Sequence, residues 1–256
     1  MKQLQFAIII FALFLSSTCY SQTIKGSRNY ITKEVPVDNF DNIRVNGSPD
    51  VRFTQKSGAP SVEFYGSDNI VPLLEAFVEN GTLIVQFKKN TKFQNPGELE
   101  VRVTSPNLKG VEVIGSGDID LHNGINTTGD FNVYVRGSGD IEGNNINCNK
   151  LTIRVDGSGD ISLDKVKANS TEVNIKGSGD VELTGSSRNA SFYVDGSGDI
   201  DADKFEVEDL KAEVKGSGDI SCWATRTLSG SVRGSGEVGY RGNPKINFSK
   251  KGLRRL

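Results

Sequence analysis

Between residues 113 and 239 one eight-residue phrase occurs seven times: VIGSGDID, VRGSGDIE, VDGSGDIS, IKGSGDVE, VDGSGDID, VKGSGDIS and VRGSGEVG. The glycines that open it are Gly115, Gly137, Gly157, Gly177, Gly196, Gly216 and Gly234, at spacings of 22, 20, 20, 19, 20 and 18 residues. A period this regular means that each unit packs on its neighbours in the chain, as in a solenoid. About twenty residues is too short for a pair of helices and suits one coil of a β-helix.

Stacking the copies gives pure columns. Two positions before the first glycine stand Val113, Val135, Val155, Ile175, Val194, Val214 and Val232. After the acid stand Ile119, Ile141, Ile161, Val181, Ile200, Ile220 and Val238. β-Branched aliphatics fit a pleated strand with one buried face. Alternation extends the same face to Val111, Val133, Ile153, Val173 and Phe192 on one side, and to Leu121, Leu163, Leu183, Ala202, Cys222 and Tyr240 on the other. The expected fold is therefore all-β: a single right-handed parallel β-helix with about 20 residues per coil.

In an extended chain both glycines of the phrase point inward, where a corner leaves no room for a Cβ, while its serine and acid point out. The residue before the first glycine also points out, as Ile114, Arg136, Asp156, Lys176, Asp195, Lys215 and Arg233. Its sign largely alternates, which limits like-charge stacking at a rise of roughly 4.8 Å.

The N-terminus reads as a leader. Lys2 precedes an apolar run, Phe6–Leu15, and a small polar stretch ending Cys-Tyr-Ser-Gln. This is the pattern of a secretory signal peptide over residues 1–21, cut after Ser21; the run is too short to span a bilayer. A lipoprotein reading would acylate Cys19, but Ser16 and Thr18 fit it poorly. No second apolar segment follows, so the expected mature chain, 22–256, carries no transmembrane helix. Export would permit a disulfide between Cys148 and Cys222. Their places in different columns, several coils apart, predict two buried free thiols instead. With 30 basic and 32 acidic residues interspersed, nothing suggests nucleic acid.

Residues 24–110 are less regular. "NIRVNGSPDVRF" (42–53) is a degenerate copy of the phrase, with Pro49 for the second glycine, and "SVEFYGSDNIV" (61–71) looks like another. "GTLIVQFKK" and "GELEVRVTSPNLKGVEVIG" alternate as strands. "NIVPLLEAFVEN" (69–80) predicts one short helix, with Leu73, Leu74, Phe77 and Val78 on one face. The tail KKGLRRL reads as a frayed, solvated end.

The order "FDNIRVNGSPDVRF … GTLIVQF … LEVRVTSPNLKGVEVIGSGDI", followed by serial GSGD coils, resembles the "putative auto-transporter adhesin, head GIN domain" family. The resemblance covers nearly all of the chain after the leader. It implies an exported protein, a β-helix-like stack and surface adhesion, and supplies no catalytic residues. The sequence after the head does not read as a membrane-anchoring barrel or a coiled-coil stalk, so the auto-transporter part of that name is not expected to apply here.

The acids Asp118, Asp140, Asp160, Asp180, Asp199, Asp219 and Glu237 form a ladder, with Asp120, Glu142, Glu182 and Asp201 two positions on. Two readings stand side by side. In one, each acid accepts N–H groups of its own corner, as Asx turns do. In the other, hard oxygens in a row bind calcium or another ligand. Calcium β-rolls, however, use a nonapeptide twice per coil, and this phrase occurs once. The lone histidine, His122, follows a strand and reads as a surface residue; Trp223 reads as corner packing. No catalytic residue, cofactor or metal site is assigned. The expectation is an exported, non-enzymatic binding head for a glycan or a cell-envelope protein, at the periplasm or cell surface. A β-helix enzyme acting on polysaccharide and a structural, self-associating protein are the alternatives; identical ladders make end coils adhesive.

Overall fold

The structure is a computed structural model describing residues 23–94, 96–249 and 251–256. The expected leader, its cut after Ser21 and Cys19 lie outside the described residues. The chain winds into a parallel β-solenoid of about seven turns with about 20 residues per coil. Apart from the short pair Ile24–Lys25 and Phe93–Gln94, all described strands join one 20-stranded sheet.

Each regular coil has three faces. The first enters the GSGD corner, as Leu151–Gly157 does; the second leaves it at Ile161–Leu163; the third returns through Val166–Ala168. Parallel pairing runs in register from coil to coil. On the first face Val113, Val135, Val155, Ile175, Val194, Val214 and Val232 are successive partners. On the second, Ile119 through Val238 are. Both columns are buried, so burial follows from the repeat: a β-branched residue at a fixed offset lands on its counterpart each turn.

The spacing varies because the other corners absorb the difference. Register shifts fall between Leu163 and Val166, Glu182 and Thr184, Ala202 and Glu206, and Val207 and Asp209, and none falls at GSGD. The GSGD corner is rigid for a steric reason. A Cβ on Gly137, Gly157 or Gly177 would strike the carbonyl oxygen of the equivalent glycine one coil earlier, and so would one on Gly139, Gly159 or Gly179. The space denied to a side chain thus lies along the stack, not inside the coil as alternation alone implied. The first glycine also takes a positive φ, +148° at Gly157.

The front half follows the stack in a different chain order. Asn42–Gly47 lies between Thr82–Phe87 and Gly110–Gly115, all parallel. Val51–Gln55 lies between Leu99–Ser105 and Ile119–Leu121. Residues 42–53 are therefore a true coil, with Pro49 under Gly117. The chain lays down this second coil first, drops to build the end coil with residues 82–105, then climbs past both.

Three expectations fail here. "SVEFYGSDNIV" is no corner: Ser61–Ser67 runs antiparallel between Leu99–Ser105 and Tyr30–Val35. Residues 69–80 hold no α-helix. A 3-10 turn, Val71–Leu73, leads into the strand Leu74–Glu79, which forms a hairpin with Thr82–Phe87. The hairpin turns at Asn80 and Gly81, both left-handed at φ 50° and 75°, the backbone a type I′ turn requires. The tail is not frayed: Leu253–Arg255 pairs with Val238–Tyr240 and closes the second face.

The cysteines sit where the columns put them. Cys222 is buried between Ala202 and Tyr240, and burial pushes its thiol up to about 12. Cys148 pairs with Ala168 on the third face and is only partly buried; desolvation and then Asp130 push it up to about 11.

Candidate functional site: the acid corner

The repeated corner is a surface feature present in every regular coil, and its hydrogen bonds explain its residues. The N–H groups of Ser158 and Gly159 both donate to the carbonyl of Gly137, at 2.8 and 3.1 Å. The N–H of Ile141 donates upward to the carbonyl of Asp160 at 3.0 Å. The remaining corner N–H is that of the acid itself. It donates to the carboxylate of the acid one coil earlier: Asp140 to Asp118 at 2.9 Å, Asp160 to Asp140, Asp180 to Asp160 and Asp199 to Asp180 at 2.8 Å, Asp219 to Asp199 and Glu237 to Asp219 at 2.7 Å. The ladder begins at Asp50, which accepts from Asp118 at 3.1 Å.

The acid therefore serves the next coil's backbone, not its own turn. The corner is exposed, and the pleat leaves no carbonyl for this N–H, so the carboxylate supplies the acceptor that water would otherwise provide. At the far end no further GSGD corner follows, and there Glu237 replaces Asp. Its carboxylate binds Arg254 at 2.7 Å, which holds it below the usual carboxylate range. At the near end, burial raises Asp50, offset by the Asp118 N–H and reinforced by the Asp118 charge.

In each interior rung Oδ1 is committed to backbone. The exposed serine hydroxyls, Ser116 to Ser235, line the same ridge. The flanking second-face acids Asp120 and Glu142 border a shallow depression of about 180 Å³ with Asp118 and Asp140. Among the described residues, no group of three or more His, Cys, Asp or Glu side chains is arranged to hold a metal ion.

Beside the ridge runs the charged column of the first face. Arg136, Asp156, Lys176, Asp195, Lys215 and Arg233 are successive register partners, as the sequence implied. Lys215 binds Asp195 at 2.9 Å and holds it below its ordinary value. One cluster in this column was missed by sequence reasoning. Tyr134 lies under two guanidiniums, Arg136 and Arg154, at 5.5 and 5.4 Å from its ring centre. Its hydroxyl donates to Asp156 at 2.6 Å, and Arg154 reaches the same carboxylate at 2.6 Å. Burial pushes Asp156 up, but the Arg154 and Tyr134 hydrogen bonds win and lower it. Stacking the outward columns, as was done for the inward ones, would have brought Tyr134 and Arg154 together.

The irregular coils hold a larger depression, of about 540 Å³, lined by Phe40, Pro60, Pro106, Leu108, Lys109 and Thr127 among others. His122 stands exposed, its Nδ1 3.7 Å from Asp120. The histidine and the nearby acid are both solvated.

A parallel solenoid with a filled core and one rigid polar ridge defines a repeat-built head, a class in which the outer surface carries the function. The family sequence model described as "Putative auto-transporter adhesin, head GIN domain" matches residues 39–244, and the chain belongs to that family. No protein of curated function matches the chain. Among solved structures, a "putative lipid binding protein" from Parabacteroides distasonis is 28% identical over 92% of this chain and 100% of its own, with a TM-score of 0.83. A "putative adhesin" from Bacteroides fragilis is 29% identical over 91% and 100%, with a TM-score of 0.70. A "putative adhesin" from Parabacteroides merdae, 22% identical over 91% and 99% with a TM-score of 0.84, attests the fold alone. These relatives are named for adhesion or binding, not for an enzymatic reaction, and the family's name points to the cell exterior or surface. Among the described residues no helix is long and apolar enough to cross a membrane.

Proposed function

We propose that this chain is an exported, non-enzymatic binding head that engages a glycan or a cell-envelope protein along the GSGD ridge, from the periplasm or the cell surface. The observation that carries the reading is the acid-to-N–H ladder. It locks one oxygen of each aspartate from Asp118 to Asp219, so the row of acids is held rigid at strand spacing, roughly 4.8 Å, beside the serine hydroxyls. A surface already ordered loses little entropy when it binds, and a row of like groups suits a ligand that is itself repetitive. The adhesin names of the family and of the B. fragilis relative support this. The lipid-binding name of one relative fits less well, since the core columns of this chain are filled with buried side chains. An enzyme acting on polysaccharide remains the second reading, and the His122–Asp120 pair is the observation that favours it.

The test is a glycan array probed with the protein in three arms: no added metal, calcium, and chelator. Binding that survives chelation supports direct recognition by the ridge. Binding that needs calcium makes the acid ladder a metal site. No binding in any arm turns the reading toward a protein partner, and turnover of a bound polysaccharide establishes the enzyme.

A further inference from the structure

The exposed large apolar side chains among the described residues gather at the two ends of the stack. Tyr30, Ile31 and Phe77 stand on the strands that finish the N-terminal end; Ile246 and Leu256 stand at the C-terminal end. On the first face both terminal strands have one partner and one open edge. Among the described residues Leu74–Glu79 pairs only with Thr82–Phe87, and Lys245–Phe248 only with Thr227–Gly230. Open edges of this kind offer unpaired N–H and C=O groups to another strand.

The two edges fit each other. Ile246 is the last rung above buried Leu228, and Phe248 the last above Gly230, so both face the core side with no further strand on them among the described residues. On the opposite end Val78 and Ala76 share the core side with buried Leu83 and Val85. Laid antiparallel, Lys245 meets Glu79, Ile246 meets Val78, Asn247 meets Phe77 and Phe248 meets Ala76. Inward residues oppose inward residues, and the one basic strand end opposes an acid. The N-terminal edge carries Glu75 and Glu79 and no base; the C-terminal edge carries Lys245 and no acid. The second-face edges lack this fit. Lys33 stands in rank with buried Phe64 and Val101, and Arg255 in rank with Tyr240. Inward-pointing charges of this sort blunt an edge.

We propose that the occupant of each first-face edge is a second copy of this chain, docked head to tail, so that Lys245–Phe248 of one molecule extends the sheet through Leu74–Glu79 of the next. Because the two surfaces differ, the contact does not close on itself and builds rows of solenoids. The inference is independent of the ligand reading above.

Sedimentation velocity of the full chain across concentrations, at low and high salt, tests it. The expected result is growth beyond a dimer as concentration rises, weakened by salt. Glu79→Lys and Lys245→Glu, both at exposed positions, should each raise the concentration needed for assembly at least about tenfold. Mixing the two variants should restore assembly, since each then offers the other a complementary end. Circular dichroism of the single variants confirms that they remain folded. A monomer at every concentration, a species that stops at a two-fold dimer, or single variants that assemble like the parent would each overturn the proposal.

Discussion

The carboxylate of Asp160 holds the backbone N–H of Asp180, one coil further along, at 2.8 Å. Each acid thereby completes the hydrogen bonding of a corner that is not its own. Asp160→Ala should leave that exposed N–H to water and cost about 0.5–1.5 kcal/mol, the net worth of one hydrogen bond. Asp160→Asn keeps an acceptor oxygen and should cost less than about 1 kcal/mol, and Ser158→Ala, at an exposed side chain, should be close to neutral. Urea denaturation of the three variants measures the order. An alanine as mild as the asparagine would remove the ladder from the account of stability.

Ile161 lies in an all-aliphatic column at 1% exposure, between Ile141 and Val181. Ile161→Asp buries a carboxylate with no partner and should exceed about 4 kcal/mol, enough to unfold the stack. Ile161→Val only removes a methylene and should cost about 1 kcal/mol. The same denaturation curves, with circular dichroism of the unfolded variant, check both.

Gly159 separates steric from conformational need, since its φ is not in the left-handed region. A Cβ there collides with the Gly139 carbonyl and lies 2.9 Å from Val135 Cγ1. Gly159→Ala should cost about 2 kcal/mol or more by prising two coils apart. Gly129→Ala, whose nearest neighbour is Thr127 Oγ1 at 3.6 Å, should be nearly silent. Equal melting temperatures for the pair would show that the corner tolerates a side chain.

Acid should weaken the fold in a defined direction. Asp195 is lowered by the Lys215 hydrogen bond and Asp209 by those of Arg226 and Thr227, both from 3.8. A depressed carboxyl contributes stability above its unfolded value, and loses it as pH falls from about 4 through the lower folded value. Asp50 runs the other way: burial raises it, so its ionisation opposes folding. Asp50→Asn should therefore stabilise the protein at pH 7, with the gain shrinking as pH falls through the raised folded value and gone once pH is below the ordinary 3.8. Urea midpoints from pH 7 to 3 for the parent and this variant give both slopes.

The columns of Val113 and Ile119 were legible because a repeat reports register directly: equal offsets become neighbours. What sequence missed came from pairing partners that no offset reveals. Leu73, Leu74, Phe77 and Val78 fit a helical face, yet Leu74, Ala76 and Val78 fit a strand equally well. The Asn80-Gly81 turn decides between them and was the signal to weigh. Gly66-Ser67-Asp68 copies the corner locally, but Ser61–Ser67 is turned antiparallel by its partners at residues 30–35 and 99–104. At the acid corner the recurrence of an acid was visible, while the identity of its donor was not, because the Asp180 N–H reaches Asp160 only after the coil has closed.

The inverted order of the first two coils has a kinetic consequence. Most regular corners find their lower neighbour after about 20 residues, whereas Arg44 must wait 68 positions for Glu112 and Asn46 waits 40 for Gln86. Loop closure grows costlier with separation, so the GSGD coils are expected to zip up first and the N-terminal segment to be threaded in last. Pulse-labelled amide exchange should find Val135 and Ile161 protected before Val45 and Val51. For a chain that emerges N-terminus first, this means that the part made earliest is the part that must stay unpaired longest.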